Sequence, residues 1–351
     1  MTTEPSSAFV RRVLTVVAIV TTVTLVILLA WYAVSVLLTM FAGILLGVLL
    51  RGLASWLSGR TGLTPGRSLA IVCLVLMVVL GAGVALTAAS VTQEVSDLLD
   101  QLPAAVEKVR AYAEANPLGR RLLAPLTKDG AAGGELPVSQ VLGMASGTIG
   151  GLGTLLLIVF VGIVLAADPD VYTGGALLLV APPHRARGEQ VLDEIGETLL
   201  RWLTGRLLLM AVIGILSWIG LLLLGVPVAL ALALLAGVLS FIPNLGPIIS
   251  AVPAMLIAAS VTPMLAVWVG GLYLAIQTAE SYLLEPLVVR KTVSLPPATN
   301  IVFQLFMGTW LGVMGLTLAT PLLAALTVAV RRLYIEDVLG DSPSDADDED
   351  A

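Results

Sequence analysis

Long, uninterrupted apolar runs constrain this chain more strongly than any other feature of its sequence. Five runs, each about 18 residues or longer, are Val13–Trp31, Ala33–Leu50, Ser68–Ala89, Thr148–Ala167 and Leu207–Leu224. A helix of about 20 apolar residues spans the roughly 30 Å hydrocarbon core of a bilayer. Because 58% of the residues are hydrophobic and only 12% are charged, the sequence predicts an all-α, polytopic membrane protein.

A helix break at Phe241–Ser250 is the second constraint. It separates two apolar runs, Val228–Ser240 and Ile248–Val261, each about 14 residues long and therefore able to reach only ~21 Å. Pro243 and Pro247 each lack an amide donor and prevent one continuous helix. Broken helices at membrane depth are tolerated only where they are buried in protein or line a cavity. We therefore predict a re-entrant hairpin of two half-helices and a candidate site at its turn.

Two further apolar blocks complete the membrane part. Met264–Leu284 is one span, and Ala298–Val330 is long enough for two short spans, so about eight transmembrane segments are expected in all. Ser90–Met144 differs, because its apolar residues recur at helical spacing between charged ones, which predicts an extramembrane amphipathic helical layer. The predicted organisation is N-terminal membrane helices at 1–89, the amphipathic segment at 90–147, a membrane core with the re-entrant hairpin at 148–334, and a disordered acidic tail at 335–351.

The charges are distributed unevenly along the chain. The net charge is −6, but much of the acidity lies near the end of the chain, at Glu336, Asp337, Asp341, Asp345, Asp347, Asp348, Glu349 and Asp350. The short connectors between apolar runs are basic, at Arg11/Arg12, Arg51–Arg67, Arg185–Arg206, Arg290/Lys291 and Arg331/Arg332. If the hairpin is re-entrant, all of these connectors can face the cytoplasm, and both termini are then expected to be cytoplasmic.

A polar face is predicted on the helix that follows the hairpin. Tyr273, Gln277 and Glu280 share one side of this largely apolar helix. A carboxylate in that place must be protonated, paired or open to water, and ionisable residues inside membranes are usually functional. The alternative is an interfacial Glu280 that pairs with Arg290 or Lys291 and only anchors the helix.

The hairpin turn supplies the other half of the predicted site. Pro247 suits the first position of the second half-helix, whose free amides would face a cavity, while the first half-helix presents carbonyls. Asn244 could donate and accept hydrogen bonds at the break; the alternative is a break that serves packing only. The predicted substrate or ion pathway is Pro243, Asn244, Gly246, Pro247, Tyr273, Gln277, Glu280 and Glu285.

Enzyme motifs are absent from the sequence. There is no H-E-x-x-H, no G-x-x-x-x-G-K-[ST] and no G-x-S-x-G. The single histidine, His184, stands beside Arg185 and Arg187 and is interpreted as a surface residue. We therefore expect no enzymatic activity, no cofactor, no metal site and no nucleic-acid partner.

Several motifs resemble the autoinducer-2 exporter family of bacterial permeases. They are Leu224-Gly225-Val226-Pro227, Phe241-Ile242-Pro243-Asn244-Leu245-Gly246-Pro247, Glu280-Ser281-Tyr282-Leu283-Leu284-Glu285-Pro286, Ser294-Leu295-Pro296-Pro297 and Gly312-Val313-Met314-Gly315. Their order and spacing hold over roughly Leu14–Tyr334. The chain departs from the family pattern at Trp202-Leu203-Thr204-Gly205-Arg206, where the family tends to have Tyr-x-x-Gly-Gln.

The resemblance implies a transporter or facilitator in the cytoplasmic membrane of a bacterium. It would export a small polar signal, autoinducer-2, without ATP, and it would be a homo-oligomer, for which the family implies a pentamer. Other members resemble sodium or lithium/proton antiporters, so cation antiport is the first alternative. A non-transporting membrane scaffold that binds partners through Ser90–Met144 is the alternative from another class.

Overall fold

The computed structural model of the chain describes residues 7–115, 148–289 and 296–340. The α-helices in these ranges are α1 Ser7–Thr61, α2 Pro65–Ala115, α3 Thr148–Ala167, α4 Pro169–Leu177, α5 Arg185–Leu223, α6 Ala229–Leu239, α7 Leu245–Val261, α8 Pro263–Ala279, α9 Glu285–Val289 and α10 Pro297–Val330. A 3-10 turn at Pro182–His184 and π-helical turns at Glu280–Leu284 and Arg331–Glu336 complete the list. The described part of the chain is mostly helical and contains no β-strand, which confirms the predicted all-α fold.

Three helical segments in the described ranges are long and apolar enough to cross a membrane: Ala33–Thr61, Pro182–Leu223 and Pro297–Glu336. A fourth candidate arises if Gly153–Ala167 and Pro169–Leu177, which meet at an 88° bend, are counted together. These spans support a membrane protein. The predicted number of about eight segments is larger than the three or four candidates found here.

The first two apolar runs form one helix. Helix α1 continues through Trp31 and Ala33 because no glycine or proline separates the runs. Arg11 and Arg51 are therefore about 60 Å apart along the helix, and this helix does not support the prediction that both of these connectors face the cytoplasm. The prediction that both termini are cytoplasmic loses this part of its support.

The third apolar run and the start of the amphipathic segment also form one helix. Helix α2 runs from Pro65 through Ser90 and is described as far as Ala115. Leu98 is buried and Leu102 is partly buried against the central helices, so this amphipathic part packs on its own protein. The rest of the predicted segment, 116–147, lies outside the described residues.

The central core forms where α2, α5, α6, α7 and α8 meet. Its members are apolar side chains with little or no exposure, among them Leu98, Leu221, Leu232, Ile257, Val269 and Tyr273. A second cluster joins α1, α5 and α10 through residues that include Leu45, Leu199, Trp202, Met307 and Leu318. The short helices α6 and α7 are thus packed within the protein, as a helix break requires.

Helix α10 folds back on itself at Gly312. This glycine has φ 63° and ψ −150°, and the side-chain amide of Gln304 donates to Thr320 Oγ1 at 2.9 Å. In a straight helix these two residues would be ~24 Å apart. The segment is therefore a hairpin of two short helices, as the sequence predicted. It counts among the candidate spans above only because its total length and composition meet that criterion.

Ion pairs join the end of α10 to the beginning of α5. Glu336 ends the π-helical turn and pairs with Arg187 at 2.9 Å. Arg332 pairs with Glu194 through Nη2 and Oε1 at 3.1 Å. Helix therefore extends to Glu336, two residues into the predicted acidic tail, whose residues 341–351 lie outside the described part.

Candidate functional site

The predicted helical hairpin is present, with α6 and α7 joined by residues 240–244. Gly246 lies in the first turn of α7, where a Cβ would overlap the carbonyl oxygen of Leu239 and lie 2.9 Å from Ser240 Cα. Only glycine permits main chains to approach so closely. The beginning of α7 is thus pressed against the end of α6.

A γ-turn centred on Asn244 connects the two helices. Asn244 has φ 66° and ψ −42°, and the amide of Leu245 donates to the carbonyl of Pro243 at 2.8 Å. A γ-turn with positive φ is rare and strained, and asparagine tolerates positive φ better than most residues. Backbone strain of this kind clusters at ligand sites and switch regions.

The amides at the start of α7 are already used. Leu245 donates within the γ-turn, and Gly246 donates to the carbonyl of Ile242 at 3.0 Å. Pro247 has no amide hydrogen and is the third residue of α7, so the predicted first position is wrong. The amides of Leu245 and Gly246, which were expected to face a cavity, therefore donate hydrogen bonds within the turn. The charged groups at this helix break come from other helices.

Arg206, on α5, caps the end of α6. Its Nε donates to the carbonyl of Phe241 at 3.2 Å, and its Nη2 donates to the carbonyl of Ser240. A cation at the C-terminal end of a helix interacts favourably with the helix dipole. Trp202, one turn earlier on α5, meets the ring of Phe241 edge-on at 5.5 Å and holds this part of the turn in place.

Glu280, after α8, completes a buried ion pair with Arg206. Arg206 Nη1 and Glu280 Oε1 are 3.2 Å apart, and both side chains are only 4% exposed. The partner that the structure shows is thus Arg206, whereas Arg290 and Lys291, the partners named in the alternative interpretation, lie outside the described residues. Glu280 also begins the π-helical turn, in which the amide of Glu285 donates to its carbonyl; π-turns are frequent at functional sites.

Unpaired polar atoms extend from this ion pair along α8. Within the described part of the chain, Glu280 Oε2, Gln277 Oε1 and Tyr273 Oη are buried and accept or donate no hydrogen bond. The other atom of the Gln277 amide donates to Ser281 Oγ at 3.3 Å. A buried polar group without a partner costs about 1–3 kcal/mol, so these atoms are available to a bound solute or to water.

Glu94, on α2, caps the opposite end of α6. Its Oε2 accepts from the amides of Leu230 and Ala231 at 3.0 and 3.1 Å. These are the amides that a polar N-cap side chain would bind, but the N-cap here is Val228, in the left-handed region with φ 50°. Each end of α6 therefore receives a complementary charge from a different helix.

The structure brings together part of the predicted pathway. Pro243, Gly246 and Pro247 are buried at the turn, whereas the side chains of Asn244 and Glu285 are exposed. Sequence reasoning missed Arg206 and Glu94 as site residues. The departure from the family motif at position 206 was the only available signal for the first, and no signal in the sequence marked the second.

Other features lie apart from the ion pair. Asn300, Gln304 and Thr320 form a buried hydrogen-bonded chain in the α10 hairpin. A surface groove between α5 and α6 has a volume of about 350 Å³ and is lined by apolar residues such as Trp218 and Leu234. The residues that line this groove do not include Arg206 or Glu280.

The fold and the site define a class of protein: a helical membrane protein with a buried ion pair at a helix break. The family model for the AI-2E family transporter matches residues 17–335, and the chain belongs to this family. The resemblance drawn from the sequence motifs is thereby confirmed. Membership in a family of transporters supports a role in membrane transport.

Relatives in bacteria carry names of the same kind. "Putative transport protein YhhT" of Escherichia coli (strain K12) is 24% identical over 313 residues, which are 88% of this chain and 87% of the relative. From Bacillus subtilis (strain 168), "Putative transport protein YueF" is 26% identical over 172 residues, 49% of this chain and 47% of the relative. "Putative transport protein YrrI" of the same organism is 28% identical over 193 residues, 53% and 55% of the two chains. The match to the two Bacillus proteins spans about half of their length.

Proposed function

We propose that this protein exports a small polar solute of the autoinducer-2 type across the cytoplasmic membrane of a bacterium, without ATP. The observation that supports this function best is the ion pair between Arg206 and Glu280, which is almost fully buried. Burying two charges requires their desolvation, and a buried pair contributes little to stability compared with apolar packing. Ionisable groups among membrane helices commonly mark the pathways of solutes and ions.

The pair offers complementary contacts to a solute that carries hydroxyl or carbonyl groups. Arg206 supplies donors, and Glu280 Oε2 is a free acceptor in the described part of the chain. Gln277 and Tyr273 continue the polar face along α8. In this proposal the solute exchanges hydrogen bonds with the ion pair and then moves along this face, with the strained turn at 240–244 adjusting to it.

We place the α6–α7 hairpin within the membrane as a re-entrant pair. The two helices have 11 and 17 residues, so they reach only about 16 and 25 Å, less than the hydrocarbon core. Pro243, Asn244, Gly246 and Pro247 then form the turn at the pathway, and Glu285 lies at its exposed end. The extramembrane role of the amphipathic part of α2 belongs to the same proposal.

Cation antiport is the weaker alternative. An exchanger that binds sodium or lithium needs a carboxylate free to take the cation, and here Arg206 already neutralises Glu280. A non-transporting scaffold does not need a buried ion pair at a helix break. It predicts that substitutions at Glu280 leave the protein's phenotype unchanged.

Efflux from liposomes tests the export function directly. Purified protein is reconstituted in liposomes loaded with autoinducer-2, and efflux is compared with sodium-driven pH change in the same vesicles. We expect efflux by the wild type and a loss of roughly tenfold or more for Glu280→Gln, because Arg206 then lacks its counter-charge.

Glu197→Gln is the matched control. Glu197 lies on α5 with its side chain 71% exposed, in an ion pair with Arg201, so its neutralisation should leave efflux unchanged. Absence of efflux from the wild type would rule out export of this solute, and sodium-driven pH change without efflux would favour antiport. Efflux by Glu280→Gln equal to that of the wild type at every pH would contradict the role given to the carboxylate.

A further inference from the structure

We propose that the guanidinium of Arg206 is a tethered cation, seated in an oxygen site that would otherwise take a monovalent metal ion such as sodium or lithium. The oxygens of the site are Glu280 Oε1 and the main-chain carbonyls of Ser240 and Phe241. One consequence rests on the transport function proposed above: the solute moves without a coupled metal cation.

The contacts of the guanidinium resemble those of a bound metal ion. Its hydrogen bonds to described residues end on a carboxylate oxygen or on carbonyls at the end of α6. Oxygen atoms of these two kinds are the ligands of hard cations, and the carbonyl ends of half-helices coordinate sodium in transporters. The polypeptide has therefore built a cation site and filled it with its own side chain.

The charge of the site requires a cation. The carbonyl end of α6 carries about half a negative charge from the helix dipole, and Glu280 adds a full one. Without Arg206 the buried carboxylate would have no counter-charge among the described residues, which is strongly unfavourable, and a mobile cation would restore the balance.

The donor set favours a monovalent ion. Only one buried carboxylate belongs to the site, and in the described part of the chain no group of three or more His, Cys, Asp or Glu could hold a metal. Calcium and magnesium require more oxygens or more charge than this. In an Arg206→Gln variant, the amide oxygen of the new side chain would add to the ligands. Glu280 Oε2, which has no hydrogen-bond partner among the described residues, would add to them as well.

Thermal unfolding of purified Arg206→Gln in different salts tests this assignment. The apparent Tm is measured in detergent at equal ionic strength in sodium, lithium, potassium and choline chloride. We expect sodium or lithium to raise the Tm of the variant by roughly 3 °C or more over choline. The wild type should have the same Tm in all four salts, because its site is already occupied.

Two further variants separate the cation site from general effects of salt. The double variant Arg206→Gln/Glu280→Gln lacks the carboxylate and should not respond to sodium or lithium. Arg201→Gln removes an arginine of the same helix that is 50% exposed, and it should behave like the wild type. A response of similar size in either of them would overturn the assignment.

Other outcomes are equally decisive. Folding of Arg206→Gln only in sodium or lithium would support the cation site, because the ion replaces the missing charge. The inference is overturned if the variant is folded but has the same Tm in every salt, if it fails to fold in every salt, or if the wild type responds as the variant does.

Transport provides a separate readout. In liposomes we expect solute efflux by the wild type to be equal in sodium and in choline, and efflux by Arg206→Gln to become dependent on sodium or lithium. Sodium-dependent efflux by the wild type would contradict the tethered cation. The unfolding measurements do not require flux, so a failure of the export function would leave their result unaffected.

Discussion

Gly246 is the residue on which the contact between α6 and α7 depends. A Cβ at this position would overlap the carbonyl oxygen of Leu239, a main-chain atom that cannot move aside unless the hairpin opens. The same turn presents the carbonyls of Ser240 and Phe241 to Arg206. One small residue therefore controls the position of two of the three oxygens around the guanidinium.

We expect Gly246→Ala to destabilise the protein by about 1–3 kcal/mol and to reduce solute efflux, because the added methyl group moves the turn away from Arg206. Gly271→Ala on α8 is the control, since a Cβ there meets nothing within 4 Å. Tm and efflux are measured for both variants. Equal Tm values for the two would show that the hairpin is not closely packed at Gly246.

The sequence predicted individual residues of the site but not their partners. Glu280 was recognisable because a carboxylate interrupts an apolar helix, and Tyr273 shares its face at helical spacing. Arg206 is 74 positions from Glu280, and helical periodicity contains no information about contacts between distant helices. Pro247 was predicted to be the first residue of its helix but is the third. The sequence could not distinguish these positions, because proline is tolerated throughout the first turn of a helix.

At the level of elements, α6 needs support from its neighbours. It has 11 residues, and isolated helices shorter than about 12–15 residues are marginal in water. Its N-cap, Val228, offers no polar side chain. Glu94 at one end and Arg206 at the other complement the dipole, so α2 and α5 together hold the helix that presents its carbonyls to the site.

We expect Glu94→Ala to lower stability by about 1 kcal/mol, the usual effect of losing a helix cap. Amide hydrogen exchange at Leu230 and Ala231 should become faster, because both amides lose their acceptor. Asp100→Ala is the control on the same helix, since Asp100 is exposed and caps no helix in the described structure. Unchanged exchange at both amides in Glu94→Ala would mean that the carboxylate does not hold the end of α6.

Helix breaks were predictable, whereas helix continuity was not. Proline and glycine placed the α6–α7 hairpin correctly, and the length of Ala298–Val330 predicted the two short helices that meet at Gly312. In α1 and α2, changes in hydrophobicity were interpreted as the ends of elements. A change from an apolar to an amphipathic surface alters what a helix contacts but does not end it, because no backbone hydrogen bond is lost.

At the level of the whole molecule, a network of ion pairs joins the beginning of α5 to the end of the described chain. Glu336 forms ion pairs with Arg187 at 2.9 Å and with Arg332 at 2.7 Å. Arg332 also pairs with Glu194. Arg187 and Arg206 are on the same helix, ~28 Å apart. The network therefore fixes one end of the helix that carries the cation of the site.

Glu336→Gln should loosen this connection without affecting the core. Networks of several charges contribute more than isolated surface pairs, and both are screened by salt. We expect several-fold faster amide exchange in residues 185–199 and 331–340 at low ionic strength. The difference from the wild type should shrink near 1 M salt, where the Debye length is about 3 Å. Glu197→Gln is the control, because it breaks only the exposed pair with Arg201 and should not change amide exchange in residues 331–340. Equal exchange in Glu336→Gln and the wild type at low salt would mean that packing alone holds the two ends together.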